Sequence, residues 1–234
     1  MNRFVRPFRR ALGSLRTKGL RGFLSTAVLP RIYRRWEVIL IERDLDVPAP
    51  AYRPHPGVRV RRVETLTRAE CQRHMAGHFK VYRRLLDEGC LAFGAYDGAD
   101  LVGIGWFALK DFHDRDVHHF TFRCREGEAY QFAGFLAPEY RNSAISALVA
   151  TTAWEHLRSL GFRRFYCVVA RTNVVSLRWH TRPGFSEPGL KLITTRLLGL
   201  TWARLQPYSG SELDRYRRRP AVRADGATTG GLTA

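Results

Sequence analysis

The sequence predicts an α/β fold with basic N- and C-terminal extensions, and three observations carry that prediction. Short apolar runs bounded by Asp97-Gly98 and Glu126-Gly127 read as strands joined by tight turns. From Glu128 to Phe185 the apolar spacing alternates between a strand period and a helix period, giving strand, helix, strand, short helix. Hydrophobic residues are 45% of the 234 and aromatics 12%, ample for a core, which excludes wholesale disorder. No apolar run approaches the ~18–20 residues of a membrane-spanning helix, which excludes an integral helical membrane protein.

The expected organisation is an N-terminal extension over 1–57, a core domain over 58–198 and a C-terminal extension over 199–234. In the first segment, ten basic and no acidic residues precede Glu37. Phe4, Phe8, Leu12 and Leu15 recur at helical spacing with arginines filling the other face. Such a basic amphipathic helix can lie on an anionic membrane, dock its apolar stripe on the core or a partner, or act as an Arg-rich presequence. Neither an apolar h-region nor a small-residue cleavage site follows, which argues against a secretory signal. Residues 36–41 read as a buried strand, and Pro48, Pro50, Pro54 and Pro56 make 47–57 a stiff linker.

Within the core domain, Val58, Val60 and Val63 begin a strand. Thr67 can cap a helix over 68–87 with Met75, His78, Phe79, Tyr82 and Leu86 facing inward, and Gly89 stops it. Strands over 90–96 and 101–109 form a hairpin, and alternation over 117–125 predicts another strand before one over 128–136. A helix over 144–160 ends at Gly161, a buried strand spans 163–170, and Thr172 or Asn173 opens a short helix through 181. A last strand covers 190–198. Arg215, Arg217, Arg218 and Arg219 then form a basic stretch, and the Gly-, Thr- and Ala-rich tail over 224–234 is expected to be disordered.

Charge divides in a similar way when the second cut is made at 190. Lys+Arg number 39 and Asp+Glu 21, for a net charge of +18. Segment 1–57 contributes +8, 58–190 only +5 and 191–234 a further +5, so the excess lies on the flanks. A balanced middle with basic ends suits a catalytic or binding core whose arms can meet an anionic membrane. Sequence-specific nucleic-acid recognition is not expected, because no zinc-finger or RNP pattern is present. The four cysteines have neither close pairing nor zinc-ligand spacing, which points to reduced thiols and a cytoplasmic protein, membrane-associated if its arms bind lipid.

The most informative turn runs Pro138-Glu139-Tyr140-Arg141-Asn142-Ser143-Ala144-Ile145-Ser146. Small side chains at a helix start let a phosphate reach unpaired N–H groups and the positive end of the helix dipole, and Arg141 adds a fixed charge. Small residues there also serve simple packing, so the turn alone leaves both uses open. Together with the residues that follow, it resembles the GNAT superfamily of acyl-CoA-dependent N-acetyltransferases. Residues 141–146 fit the register of that family's Q/R-x-x-G-x-G/A loop. Asn173, Ser176, His180, Gly184 and Phe185 fit its N-x-x-A/S-x-x-x-Y-x-x-x-G-F ending. The resemblance covers about 58–198. Two departures stand out: Ala144 and Ser146 replace the loop glycines, and His180 stands where the family often has tyrosine.

The resemblance implies a mixed, largely antiparallel central sheet flanked by helices. It also implies transfer of an acyl group, acetyl first, from acetyl-CoA or another acyl-CoA to a small-molecule or peptide amine by direct attack in a ternary complex. Its cofactor-binding positions fall on Phe135, Leu136, Arg141, Asn142, Ser143, Ala144, Ile145, Ser146, Asn173 and Ser176, with an oxyanion-binding amide at Phe135 or Leu136. A non-catalytic ligand- or partner-binding module of the same fold is the alternative that the missing glycines suggest. A lysine amine with a pKa of ~10.4 is only about 0.04% neutral at pH 7, so the acceptor must lose a proton. Glu128 is the first candidate base, with Glu126 and Asp111 as alternatives, and His180 is the candidate acid for the departing thiolate. The His113-Asp114-Arg115-Asp116-Val117-His118-His119 stretch lacks metal-ligand spacing and is expected to be a polar loop at the acceptor site or in solvent, with no metal. Trp106, Phe107, Phe120, Phe122, Tyr130 and Phe132 are expected in the sheet core, one or two of them lining an acceptor pocket.

Overall fold

The computed structural model describes residues 32–53, 55–141 and 143–217. The amphipathic stripe at Phe4, Phe8, Leu12 and Leu15, together with Asn142, Arg218, Arg219 and the tail over 224–234, lies outside the described residues. Ten strands are present among the described residues. Eight of them, β1 (Tyr33–Asp44), β2 (Val58–Arg62), β3 (Leu91–Asp97), β4 (Asp100–Ala108), β7 (Glu128–Leu136), β8 (Arg164–Ala170), β9 (Leu190–Leu197) and β10 (Leu200–Pro207), form one sheet. Its order is β10-β9-β1-β8-β7-β4-β3-β2. Every neighbouring pair is antiparallel except β7–β8. The sheet is therefore mixed and largely antiparallel, as the resemblance implies.

The sheet reaches beyond 58–198 on both sides. β1 lies in its interior, paired with β8 through Val38↔Ala170 and with β9 through Tyr33↔Leu197. Its run of Val38, Ile39 and Ile41 is buried, with Ile39 and Ile41 on one face and Val38 on the other. A strand buried on both faces belongs inside a sheet, not at an appended edge. β10 closes a hairpin with β9 that the sequence pattern does not announce, because Leu200 and Trp202 share one face while Leu205 lies on the other and breaks the alternation.

Among the described residues five helices flank the sheet: α1 (Arg68–Cys71), α2 (Phe79–Asp87), α3 (Ile145–Ser159), α4 (Val174–Thr181) and α5 (Glu212–Tyr216). α3, α4 and α5 cover one face, where Trp154, Leu157, Leu177 and Leu213 pack on Ile39, Ile41, Phe107 and Phe165. On the other face, Cys71, Met75, Tyr82 and Leu85 cover Ala92, Ile104 and Trp106. The hairpin of β5 (Phe112–Asp114) and β6 (Phe120–Phe122) covers the neighbouring area through Phe122, Tyr130 and Tyr166. Among the described residues no helix is long and apolar enough to cross a membrane.

Two elements differ from expectation. The helix over 68–87 is broken: Thr67 caps α1 through a capping box with Glu70, then a 3-10 turn at Ala76–His78 precedes α2. Gly77 supplies no side chain and little helix propensity at the break, and His78 ends up exposed instead of inward. The strand over 117–125 shrinks to three residues. Asp111 pulls the next residues into a turn by accepting from the Cys124 N–H at 2.9 Å and from Arg123 at 2.7 Å.

Candidate functional site

The parallel ladder between β7 and β8 is short. It runs from Glu128↔Arg164 to Gln131↔Cys167 and stops there. Beyond it β7 continues on β4 to Gly103↔Leu136, while β8 continues on β1 to Ala170. The two strands thus part halfway along and leave a cleft between their C-terminal halves. A register shift marks the same point: Trp106 pairs with Ala133 but Phe107 with Gln131, so Phe132 is an extra residue bulged out of β7.

The parting exposes backbone donors. Ala137 N–H bonds to Val102 O at 2.8 Å, which puts Ala137 in phase with β4. Alternation along an antiparallel ladder then turns the Phe135 N–H toward β4 and the Gly134 and Leu136 N–H groups toward the open side. Of the Phe135–Leu136 pair, Leu136 therefore faces the cleft. Gly134 is exposed, and a glycine inside a strand is a sequence signal for such a bulge or close approach.

The loop at the mouth is fixed from both ends. Tyr140 closes the 3-10 turn at Pro138–Tyr140, and its hydroxyl donates to Asp97 at 2.6 Å. Ser143 donates to Tyr140 O at 2.6 Å and accepts from Ile145 N–H at 3.3 Å. Ala144 makes no side-chain cap, its carbonyl accepts the first α3 bond from Leu148, and the first turn holds no acid. The Ser146 and Ala147 amides, next in the helix start, are donors with no intrahelical acceptor. Ser146 is exposed, as is Arg141, which forms no ion pair among the described residues. An anion is suited to this helix start, where amides lack intrahelical acceptors and the first turn holds no acid, with Arg141 in the loop leading into it. Ala144 and Ser146 keep every amide that glycines would have provided.

On the opposite lip, Asn173 caps α4 by accepting from Ser176 N–H at 3.2 Å, so these two residues build the helix start that follows β8. His180 points away from the cleft. Its ring is 8% exposed and lies edge-on to Trp179 and Phe185, each at 4.6 Å. Its Nδ1–H donates to Ser176 O at 2.7 Å, and Nε2 lies 3.7 Å from the buried Cys167 Sγ. Burial pushes its pKa down to about 4, the bond to Ser176 opposing. At neutral pH it is an uncharged packing group without a proton on Nε2, which removes it as a general acid. Its spacing from Leu177, three residues away on the buried face of α4, is the sequence signal for that placement.

The same shift makes stability depend on pH. A histidine whose folded pKa is depressed stabilises fully above its unfolded value of ~6.5 and loses that contribution as pH falls toward about 4. Urea unfolding is expected to lose on the order of 3 kcal/mol between pH 7 and pH 4 through this group. A His180→Phe variant should lack that part of the slope; an unchanged slope would contradict the burial.

Glu128 is also removed from the chemistry. It begins β7, eight residues and roughly 26 Å of strand from Leu136. Its carboxylate accepts from Arg125 N–H at 3.1 Å and faces Arg164 at 3.8 Å, which closes the turn into the strand. Glu126 is exposed in that turn. Asp111 is held below the usual carboxylate range by the Cys124 N–H and by Arg123, which weakens it as a base.

On the sheet face away from α3, Phe132 stacks on Phe112 at 3.9 Å beside the bulge, with Phe120 half-buried nearby. Trp106, Phe107, Phe122 and Tyr130 are buried in the core. The 113–119 stretch folds onto the sheet: Asp114 accepts from Asp116 and Val117 N–H, and buried His118 bonds Thr194 Oγ1 at 3.0 Å. Among the described residues no group of three His, Cys, Asp or Glu side chains converges on one point.

The model of the acetyltransferase (GNAT) family matches residues 60–185. Among solved structures, a Drosophila protein is similar at 12% identity and a TM-score of 0.50, over 79% of this chain and 58% of that one. A tandem GNAT protein from the clavulanic acid biosynthesis pathway is similar at 14% identity and a TM-score of 0.49, over 78% and 59%. A GCN5-related N-acetyltransferase from Sphaerobacter thermophilus follows at 14% and 0.48, over 75% and 56%. The chain thus spans less than three fifths of each of these structures. No curated protein sequence matches it.

Proposed function

The chain belongs to the acetyltransferase (GNAT) family, and from that membership we propose that it transfers an acyl group, acetyl first, from acyl-CoA to a primary amine by direct attack in a ternary complex. The observation that carries the proposal is the parting of β7 from β8 after Gln131↔Cys167, with the unclaimed amides of α3 at the mouth of the gap. Bound acyl-CoA supplies an activated acyl carbon. In this account the Ser146 and Ala147 amides and Arg141 hold its diphosphate, Ser143, Ala144 and Ile145 shape the loop around it, and Asn173 and Ser176 form the facing lip. The Leu136 N–H stabilises the tetrahedral oxyanion. The amine enters from the side of Phe112, Phe120 and Phe132. Holding both reactants in one cleft makes a covalent enzyme intermediate unnecessary.

With His180 and Glu128 both outside the cleft, the acceptor reacts as the free base it brings from solution: its nitrogen forms the C–N bond, collapse of the oxyanion breaks the C–S bond, and the proton shed by the nitrogen passes through solvent to the departing CoA thiolate. This favours amines of low pKa: an α-amino group near ~8 is about 10% neutral at pH 7, far more than a lysine. The rate at subsaturating amine should rise about tenfold per pH unit until the pH reaches the pKa of the amine itself. A plateau at one fixed pH for amines of different pKa would reveal an enzyme base. The withdrawal of His180 and Glu128 also favours a second reading, a module that binds acyl-CoA without turning it over. Thermal stabilisation and turnover measured across acyl-CoAs of increasing chain length separate the two: stabilisation with turnover supports transfer, stabilisation alone supports the binding module, and neither removes both.

A further inference from the structure

The outer end of the sheet carries an apolar surface that acyl transfer does not use. Tyr33 stands opposite Leu197 and Leu197 opposite Leu200, so three strands set these side chains in one row on one face. Trp202, two residues along β10, shares that face. All four are exposed, Leu200 at 73% and Trp202 at 47%. At the tip, Leu198 is also 73% exposed and has φ +50, with Gly199 following at φ +89. Consecutive positive φ values make a hairpin turn whose first position favours Asn, Asp or Gly, since a bulky side chain is crowded there. Folding alone would place a polar residue at Leu198; instead a leucine is held out in a disfavoured conformation.

The surroundings are cationic. Arg35 and Arg204 lie on the same face as the apolar row, and residues 190–207 contain no acid. The carboxylate of that face, Glu37, is taken up by Arg35, Arg171 and Lys191. Beside the tip Leu198 N–H bonds Ile32 O at 2.7 Å, and the sequence before Ile32 holds eight basic residues and no acidic one.

We propose that the β9–β10 tip docks on an anionic phospholipid bilayer. Leu197, Leu198, Leu200 and Trp202 enter the headgroup region, while Arg35 and Arg204 meet lipid phosphates. Charge decides the occupant. A second copy of this chain would set Arg35 and Arg204 against their like, and the chain's own N-terminal segment would meet positive charge with positive charge.

The test uses the full chain with phosphatidylcholine vesicles that either contain or lack phosphatidylglycerol. Cosedimentation is expected only with the anionic vesicles and should weaken as salt is added. Leu200→Ser with Trp202→Ser should lower partitioning about tenfold or more, since two exposed apolar anchors are lost. Melting temperature and acyl-CoA binding should stay as in the parent, because both side chains face solvent away from the cleft. Arg204→Glu should weaken binding to anionic vesicles as well. Failure to bind anionic vesicles, or binding undiminished in the double serine variant, overturns the proposal. So does a parent chain that is dimeric by light scattering and becomes monomeric in the variant, because the occupant is then a second copy.

Discussion

Leu136→Pro is expected to fold normally and to lose about 10²–10³-fold in turnover, the effect of removing one oxyanion donor. Proline deletes the N–H that faces the cleft. It leaves the ladder to β4 intact, because the bonds in phase with Ala137 N–H→Val102 O come from neighbouring residues. The restriction that proline places on Phe135 costs little, since that residue already sits in a strand. Leu136→Ala, which shortens the side chain but keeps the amide, should retain most activity. The pair therefore separates the donor from the side chain. A proline variant with unchanged acyl-CoA affinity and undiminished turnover would remove Leu136 from the mechanism.

Ser146→Glu should act on stability and on binding with opposite signs. A carboxylate in the first turn of α3 favours the helix dipole and should stabilise the fold by about 0.3–1 kcal/mol. The same carboxylate would occupy the amides assigned to the diphosphate and repel its charge, weakening acyl-CoA binding by about a hundredfold. Ser146→Gln, similar in size and neutral, should cost much less affinity. Calorimetric titration with acetyl-CoA, set beside thermal melting, reads both signs. If the glutamate variant binds acetyl-CoA as the parent does, the diphosphate lies elsewhere.

Much of the fold was legible because local signals agreed. β7 spans Glu128–Leu136, following the turn at Glu126-Gly127, α3 begins at Ile145 just past its small residues, and Asn173 caps α4. Sequence pattern could not show where β1 sits, since a buried apolar strand looks alike in the interior of a sheet or packed beside it; only its pairing with β8 and β9 decides. β10 was hidden for the opposite reason: its apolar residues face solvent, so no core periodicity marks them.

The site divides in the same way. Arg141, Ser143, Ala144, Ile145 and Ser146 could be singled out because a helix N-terminus with small residues has a sequence signature, and α3 does start at Ile145. The acid and base were chosen by residue type, and residue type does not report distance. Counting along the strand places Glu128 at the wrong end of β7, and helical phase places His180 beside Leu177 in the core. The bulge at Phe132, which accompanies the opening of the cleft, is a product of strand pairing and has no signal of its own beyond Gly134.

The central claim is that the gap between β7 and β8 receives the acyl thioester. Amide hydrogen exchange followed by NMR, with and without saturating acetyl-CoA, tests it most directly. Protection is expected to rise at Gly134, Leu136, Ser146 and Ala147 and to stay constant at Glu128 and along β10. Acetyl-CoA that binds without slowing exchange at Leu136, Ser146 and Ala147 would contradict the account.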